Sequence, residues 1–136
     1  TKIATGHADE ARPQLRRAVE RARAEGSQDE AKAHRLLGRI ARDAGALEEA
    51  RAELEAALEA QEGIRRRVTS PRLRATFVAS VRETHELYLD VLMGLHRHQP
   101  EQGFDARALE VSETGRARGL VDQLADGGLQ PLSPRG

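Results

Sequence analysis

Residues 31–64 read AKAHRLLGRIARDAGALEEARAELEAALEAQEGI, and the spacing of this stretch decides the fold. Ala33, Leu36, Leu37, Ile40, Ala41 and Ala44 recur three and four apart, which is one face of a helix. Gly45 closes that helix, because glycine adopts the positive φ of a C-terminal stop at little cost. A second stripe, Leu47, Ala50, Leu54, Ala57 and Leu58, starts a helix near Leu47 that is expected to continue to about Arg67. So short a turn makes the two helices antiparallel neighbours. Each has only a narrow apolar stripe, so the pair must stack on further helices to be stable.

Leu37 and Gly38 stand adjacent in the first helix of this pair, and Gly45 marks the turn. Ala50, Leu54 and Ala57 follow an A-x3-F-x2-A spacing, with Leu in the Phe slot. In these residues the stretch resembles one tetratricopeptide (TPR) unit. The resemblance implies a surface that holds other proteins rather than a catalytic pocket.

The pattern extends in both directions. Toward the N-terminus, Ala8, Ala11, Leu15, Ala18, Val19 and Ala22 predict a helix from about His7 to Glu25, with Gly26 as its stop. Ala11, Leu15 and Ala18 repeat the spacing of Ala50, Leu54 and Ala57, like the second helix of a preceding unit. Ser27 and Glu30 form a capping box for the helix that follows. Toward the C-terminus, Ser70-Pro71 is a Ser cap followed by Pro at the first helical position. It opens a long helix, Pro71 to about His98, with the stripe Leu73, Phe77, Val81, Tyr88, Val91, Leu92 and Leu95. A loop around Pro100 leads to a last helix, Phe104 to Asp126. There Ala108, Ser112 and Gly115 reuse the small-residue spacing. Gly127-Gly128 ends it, and the Pro-containing tail reads as a linker. No segment alternates as a strand does.

Composition bounds the function. The chain has 136 residues, 2% of them aromatic and none Trp, so Ala and Leu fill the interior. Small residues let helices approach closely, which favours stacking over a roomy pocket. Acidic and basic residues number 22 each. A neutral chain is unlike a dedicated nucleic-acid binder, which carries a basic excess. Lys2 and Lys32 are the only lysines; the rest of the basic residues are Arg, a bias expected of high-GC codon usage. Without cysteine there is no disulfide, thiolate nucleophile or thiolate metal site in this chain. No apolar run approaches the ~18 residues of a membrane span, and no secretion signal is visible. A cytoplasmic location is expected, and no cofactor is expected.

The second half carries a more specific pattern. RRRVTSPRLRATFVASVRETHELYLDVLMGLHR, followed by FDARALEVSETGRARGLVDQL, resembles the TPR-like region before the protease domain of bacterial CHAT-domain proteins (caspase HetF associated with TPRs). Ser70-Pro71 with Leu73-Arg74-Ala75, Glu86 through His96, and Ala108 through Leu124 carry the resemblance. Thr114 and Gly115 depart from it, where the family has Arg and Ala. Gly within a helix costs about 1 kcal/mol relative to Ala, so a looser last helix is expected. The resemblance implies that a caspase-like peptidase domain follows in the full-length protein. A peptidase of that kind needs a Cys and a His on an α/β fold. This chain has no Cys, so no catalysis is implied here.

Other constellations have plain readings. His96 and His98 are two apart on a helix and point away from each other, whereas helical metal ligands sit three or four apart. His7 and His34 also lack ligand partners at useful spacing, so the histidines, His85 among them, read as solvated or packed and no metal is expected. Arg65-Arg66-Arg67 and the GRARG at 115–119 have no interleaved aromatics for base stacking, and read as solvated helix faces. Arg116 and Arg118 match a position of the CHAT-linked pattern, which implies an ion-pair or domain-docking role. Glu48, Glu49, Glu53 and Glu55 read as the wet face of an Ala-rich helix. Asp90, inside an apolar stretch, is expected to be a buried carboxylate partnered by an Arg. Phe77, Tyr88 and Phe104 are expected in the core between the last three helices.

The expected architecture is all-α: about five helices stacked as antiparallel pairs into a short right-handed TPR-like α-solenoid. Residues 7–126 form it. Residues 1–6 are expected to be a disordered start or one added to the natural chain, and 127–136 a linker toward a CHAT peptidase domain. The expected function is a regulatory scaffold that holds a peptide or protein partner and its own peptidase domain. Groove-facing Arg35, Arg39 and Arg42 are expected to contact the partner. The alternative is a nucleic-acid-associated targeting module using the Arg-rich helices; binding with a steep salt dependence would mark it. A chain cut within a repeat exposes faces that are otherwise covered, so dimerisation through the first or last helix is expected.

Overall fold

The computed structural model describes residues 2–25, 29–68 and 70–126. These form five α-helices: α1 (Lys2–Glu25), α2 (Asp29–Asp43), α3 (Leu47–Ile64), α4 (Pro71–His98) and α5 (Phe104–Asp126). A 3-10 turn, Arg65–Arg67, follows α3. There is no strand among the described residues. The bounds of α4 and α5 are those the spacing predicts. α3 ends at Ile64, earlier than expected, because the chain tightens into the 3-10 turn. α1 begins at Lys2 rather than His7; the single Gly6 does not outweigh the helix formers around it. Pro13 stands inside α1 and removes one intrahelical bond. Gly26, Ser27, Gly127 and Gly128, on which the expected stops and capping box depend, lie outside the described residues.

Local chemistry explains the ends that are described. After α2, Gly45 takes φ +83°. Its N–H donates to the Arg42 carbonyl at 2.9 Å, and the Ala46 N–H donates to the Ala41 carbonyl at 2.8 Å. This pair of bonds is a Schellman stop. Ala44 therefore leaves the stripe and is exposed. Ser70 caps α4, its Oγ accepting from the Leu73 N–H at 3.1 Å, with Pro71 at the first position.

Register follows from side-chain pairs. Each helix packs against the next in sequence. His34 meets Glu53 and Gly38 meets Ala50 and Leu54, so α2 and α3 run antiparallel. Thr84 meets Gln61, Tyr88 meets Glu55 and Gly94 meets Leu47, so α3 and α4 do too. His85 meets Gly115 and His96 meets Asp105, which makes α4 and α5 antiparallel. Alternate helices are parallel. Arg12 and Arg16 of α1 reach Glu49 and Glu53 of α3. Arg35, Arg39 and Arg42 of α2 reach Ser80, Glu83 and Asp90 of α4. Arg51 and Glu62 of α3 reach Phe104 and Arg118 of α5. One layer is thus α1, α3, α5 and the other α2, α4.

The main core lies between α3, α4 and α5 around Leu54, Tyr88, Val91, Leu92, Leu95, Ala108 and Val111. Phe104 packs at its edge. Phe77 sits in a separate cluster with Ile64, Val68 and Val81. A third cluster, Val19, Ala33 and Leu37, joins α1 to α2. Leu73 does not join the α4 stripe and is 49% exposed; it lies one turn before Phe77, beyond the Ile64–Val68 segment that covers that ring. Ala replaces large side chains wherever helices cross, with Ala41, Ala50 and Ala57 fully buried. Gly38 does so most tightly: a Cβ there would stand 2.8 Å from Leu54 Cγ.

Candidate functional site

Arg35, Arg39 and Arg42 come together on one side of α2, as their spacing of four and three residues requires. They face α4. Arg35 donates to Ser80 Oγ at 2.8 Å, Arg39 to Glu83 at 3.0 Å and Arg42 to Asp90 at 3.2 Å. They form a ladder that fixes the α2–α4 register. Asp90 has its Arg partner but is not buried: its side chain is 60% exposed. It sits beside the apolar residues of α4 but on the flank turned toward α2, where Arg42 reaches it from solvent.

An open groove of about 940 Å³ lies between α4 and α5. Ala75, Val78, Ala79 and Leu89 line its α4 wall, and Gly115, Gly119 and Leu120 its α5 wall. Arg74, Arg82 and Arg116 rim it, with Glu86 the one acid among its lining residues. Arg116 donates to Ser112 Oγ at 3.3 Å, and Arg74 to the Val68 carbonyl at 3.5 Å. Neither these two nor Arg82 has an acidic partner among the described residues. Leu120, Val121 and Leu124 continue outward from the groove edge on α5, each more than half exposed.

His85 forms the floor where α4 and α5 touch. A Cβ at Gly115 would come within 3.3 Å of its Nδ1. Gly115 therefore admits the imidazole rather than merely loosening the helix. Burial, and then the nearby Arg65 charge, push the His85 pKa down, so the ring is neutral. On the other side of His85 lies a smaller cleft of about 390 Å³ between α3 and α5. Arg118 bridges its mouth to Glu62 at 2.8 Å. Within it the Tyr88 hydroxyl donates to Glu55 at 2.7 Å. Burial and that bond push the Tyr88 pKa up to about 12, so the phenol stays a donor.

One further cluster was not foreseen. Glu53 is buried, 6% exposed, and not part of the wet face. Arg16 of α1 and His34 of α2 converge on it, with His34 Nδ1 at 2.8 Å. Burial pushes its pKa up, but the His34 bond and the Arg16 charge more than offset this and hold it below the ordinary value. The signal was present in the sequence: Ala50, Glu53, Ala57 and Gln61 are spaced three and four apart, so Glu53 and Gln61 share the inner stripe. Both are buried. The cluster pins three helices. Among the described residues no group of three or more His, Cys, Asp or Glu is placed to hold a metal, and no helix is long and apolar enough to cross a membrane.

The described surface thus offers an apolar groove with a basic rim. No protein family, no curated protein and no solved structure matches the chain.

Proposed function

We propose that the chain is a TPR-like helical-repeat scaffold that binds a protein or peptide partner and catalyses no reaction itself. In the CHAT-domain resemblance it works in the cytoplasm, next to a caspase-like peptidase region that it positions or regulates. The observation that carries this reading is the register: neighbours antiparallel, alternates parallel, and a groove left open at one side of α4. Stacked repeats share that logic, since each helix touches the next one and the next but one. The absence of cysteine leaves this chain without the thiolate nucleophile of a caspase-like peptidase.

A calorimetric titration tests the reading. The purified chain is mixed with the separately expressed region encoded downstream of Gly136 in the parent gene. A downstream His and Cys in an α/β context, with saturable binding, support it. A parent gene with no such region, or no heat of binding, removes the CHAT reading. The purified chain is expected to turn over no peptide, ester or phosphate substrate; turnover that survives repurification overturns the non-catalytic reading.

A further inference from the structure

The α4–α5 groove has the position that one more helix would take. α4 turns by about 100° per residue. Ser80, Glu83 and Asp90 point to α2. Thr84 and Tyr88 point to α3, and His85 to α5. The remaining arc, Ala75, Val78, Arg82 and Leu89, faces the groove. Measured from the midpoint of the α3 and α5 contacts, this arc lies about 90° to one side and the α2 contacts about 150° to the other. A helix seated there lies on the other side of α4 from α2 and continues the alternation, parallel to α4 and antiparallel to α5.

The charges say what that helix carries. On the flank facing α2, arginines meet acids across the seam: Arg39 with Glu83, Arg42 with Asp90. On the groove flank Arg74, Arg82 and Arg116 line the space and meet no acid among the described residues, against Glu86 alone. Neutral His85 adds no charge. The chain's own residues 127–136, LQPLSPRG after Gly-Gly, hold no acid and two prolines, so they do not supply the complement.

We infer that the groove binds an amphipathic α-helix of another polypeptide segment, apolar on the face toward Gly119 and Ala79 and acidic along its flanks, lying parallel to α4. This rests on the scaffold reading and adds the chemistry and direction of the partner. Apolar contact supplies the affinity, and the acid–arginine pairs select and orient the helix.

The test uses synthetic helices of ~18 residues with a leucine seam and either Glu or Lys flanks, titrated at low micromolar protein with light scattering alongside. The Glu-flanked peptide is expected to bind about 10-fold or more tighter than the Lys-flanked one, and to weaken as salt rises. Arg82→Glu with Arg116→Glu, both exposed, is expected to reverse the preference. Gly119→Leu, where a Cβ meets nothing within 4 Å, is expected to fill the groove and abolish binding while the circular dichroism spectrum stays helical. A spin label on the peptide N-terminus is expected to broaden the amide signals of Ala75 and Gln123. Equal binding of both peptides, or broadening at Leu89 and Ser112 instead, overturns the inference but leaves a scaffold that binds helices. Failure of both peptides to bind overturns the inference, and the scaffold reading stands or falls on its own titration. A dimer that Gly119→Leu converts to monomer assigns the groove to a second copy and overturns it. So does a DNA or RNA oligonucleotide whose binding is lost in the double arginine variant.

Discussion

Glu53 is the residue on which the first three helices depend. Its carboxylate is buried against His34 and Arg16, and hydrogen bonds to a charged group are worth ~1.5–3 kcal/mol each. Glu53→Ala is expected to cost about 2–3 kcal/mol in chemical denaturation. Its pKa is lowered in the folded chain from an ordinary 4.5. The unfolded state therefore binds the proton more readily. The contribution of Glu53 is complete above pH 4.5 and is lost as pH falls through the folded value. The acid limb of the stability–pH curve is expected to flatten in Glu53→Gln; an unchanged limb would show that other carboxylates set it. Glu53 was hard to single out because Glu48, Glu49 and Glu55 surround it on the same Ala-rich helix. Only its phase with Ala50 and Ala57 sets it apart. Gly38 was easier. Leu37-Gly38 stood out as the adjacent pair of the repeat pattern, and the structure supplies the reason: the Leu54 side chain fills the space a Cβ would need. Gly38→Ala gains about 1 kcal/mol of helix propensity and loses ~1–3 kcal/mol to overpacking. A net loss is expected, smaller in the background Leu54→Ala than alone. Gly63→Ala, which meets nothing within 4 Å, is expected to stabilise by up to ~1 kcal/mol.

At the scale of the element, helix ends were more legible than helix faces. Ser70-Pro71 and Gly45 act within a turn of themselves, so the residues carrying them suffice to locate α2, α3 and α4. Ser70→Ala is expected to lower stability by ~1 kcal/mol, seen as a lower thermal midpoint and faster hydrogen exchange in the first turn of α4. Faces are harder, because burial depends on how long the neighbouring helix is. Leu73 falls on the apolar phase of α4 but past the segment that covers Phe77, and so it is exposed. Ala57 is fully buried where α3 crosses its neighbours. Ala57→Leu is expected to cost ~1–3 kcal/mol; an unchanged midpoint would contradict the close crossing.

For the whole molecule, the all-α class and the helix order were legible, while the pairing of charges was not. Arg35, Arg39 and Arg42 share a face by spacing alone, but their partners Ser80, Glu83 and Asp90 sit some forty residues on, and only the packed rotation of α4 aligns them. The groove was not legible for the same reason: Ala75, Ala79 and Gly119 become one surface only when α4 and α5 pack. A neutral chain thus has a local excess of arginine on one side. The outward stripe Leu120, Val121 and Leu124 supports the proposal of self-association by the isolated chain. Light scattering is expected to show a mass that rises with concentration, and Leu124→Glu to return it to that of the monomer.

Tyr88 gives the molecule a built-in optical reporter. It is the only tyrosine and there is no tryptophan, so ultraviolet emission near 300 nm, roughly, comes from one ring lodged between α3, α4 and α5. Its hydroxyl is held by the Glu55 carboxylate, an acceptor that quenches phenol fluorescence. Separation of α4 from α3 is expected to release the quench, so that brightness reports the packing around this ring without a dye.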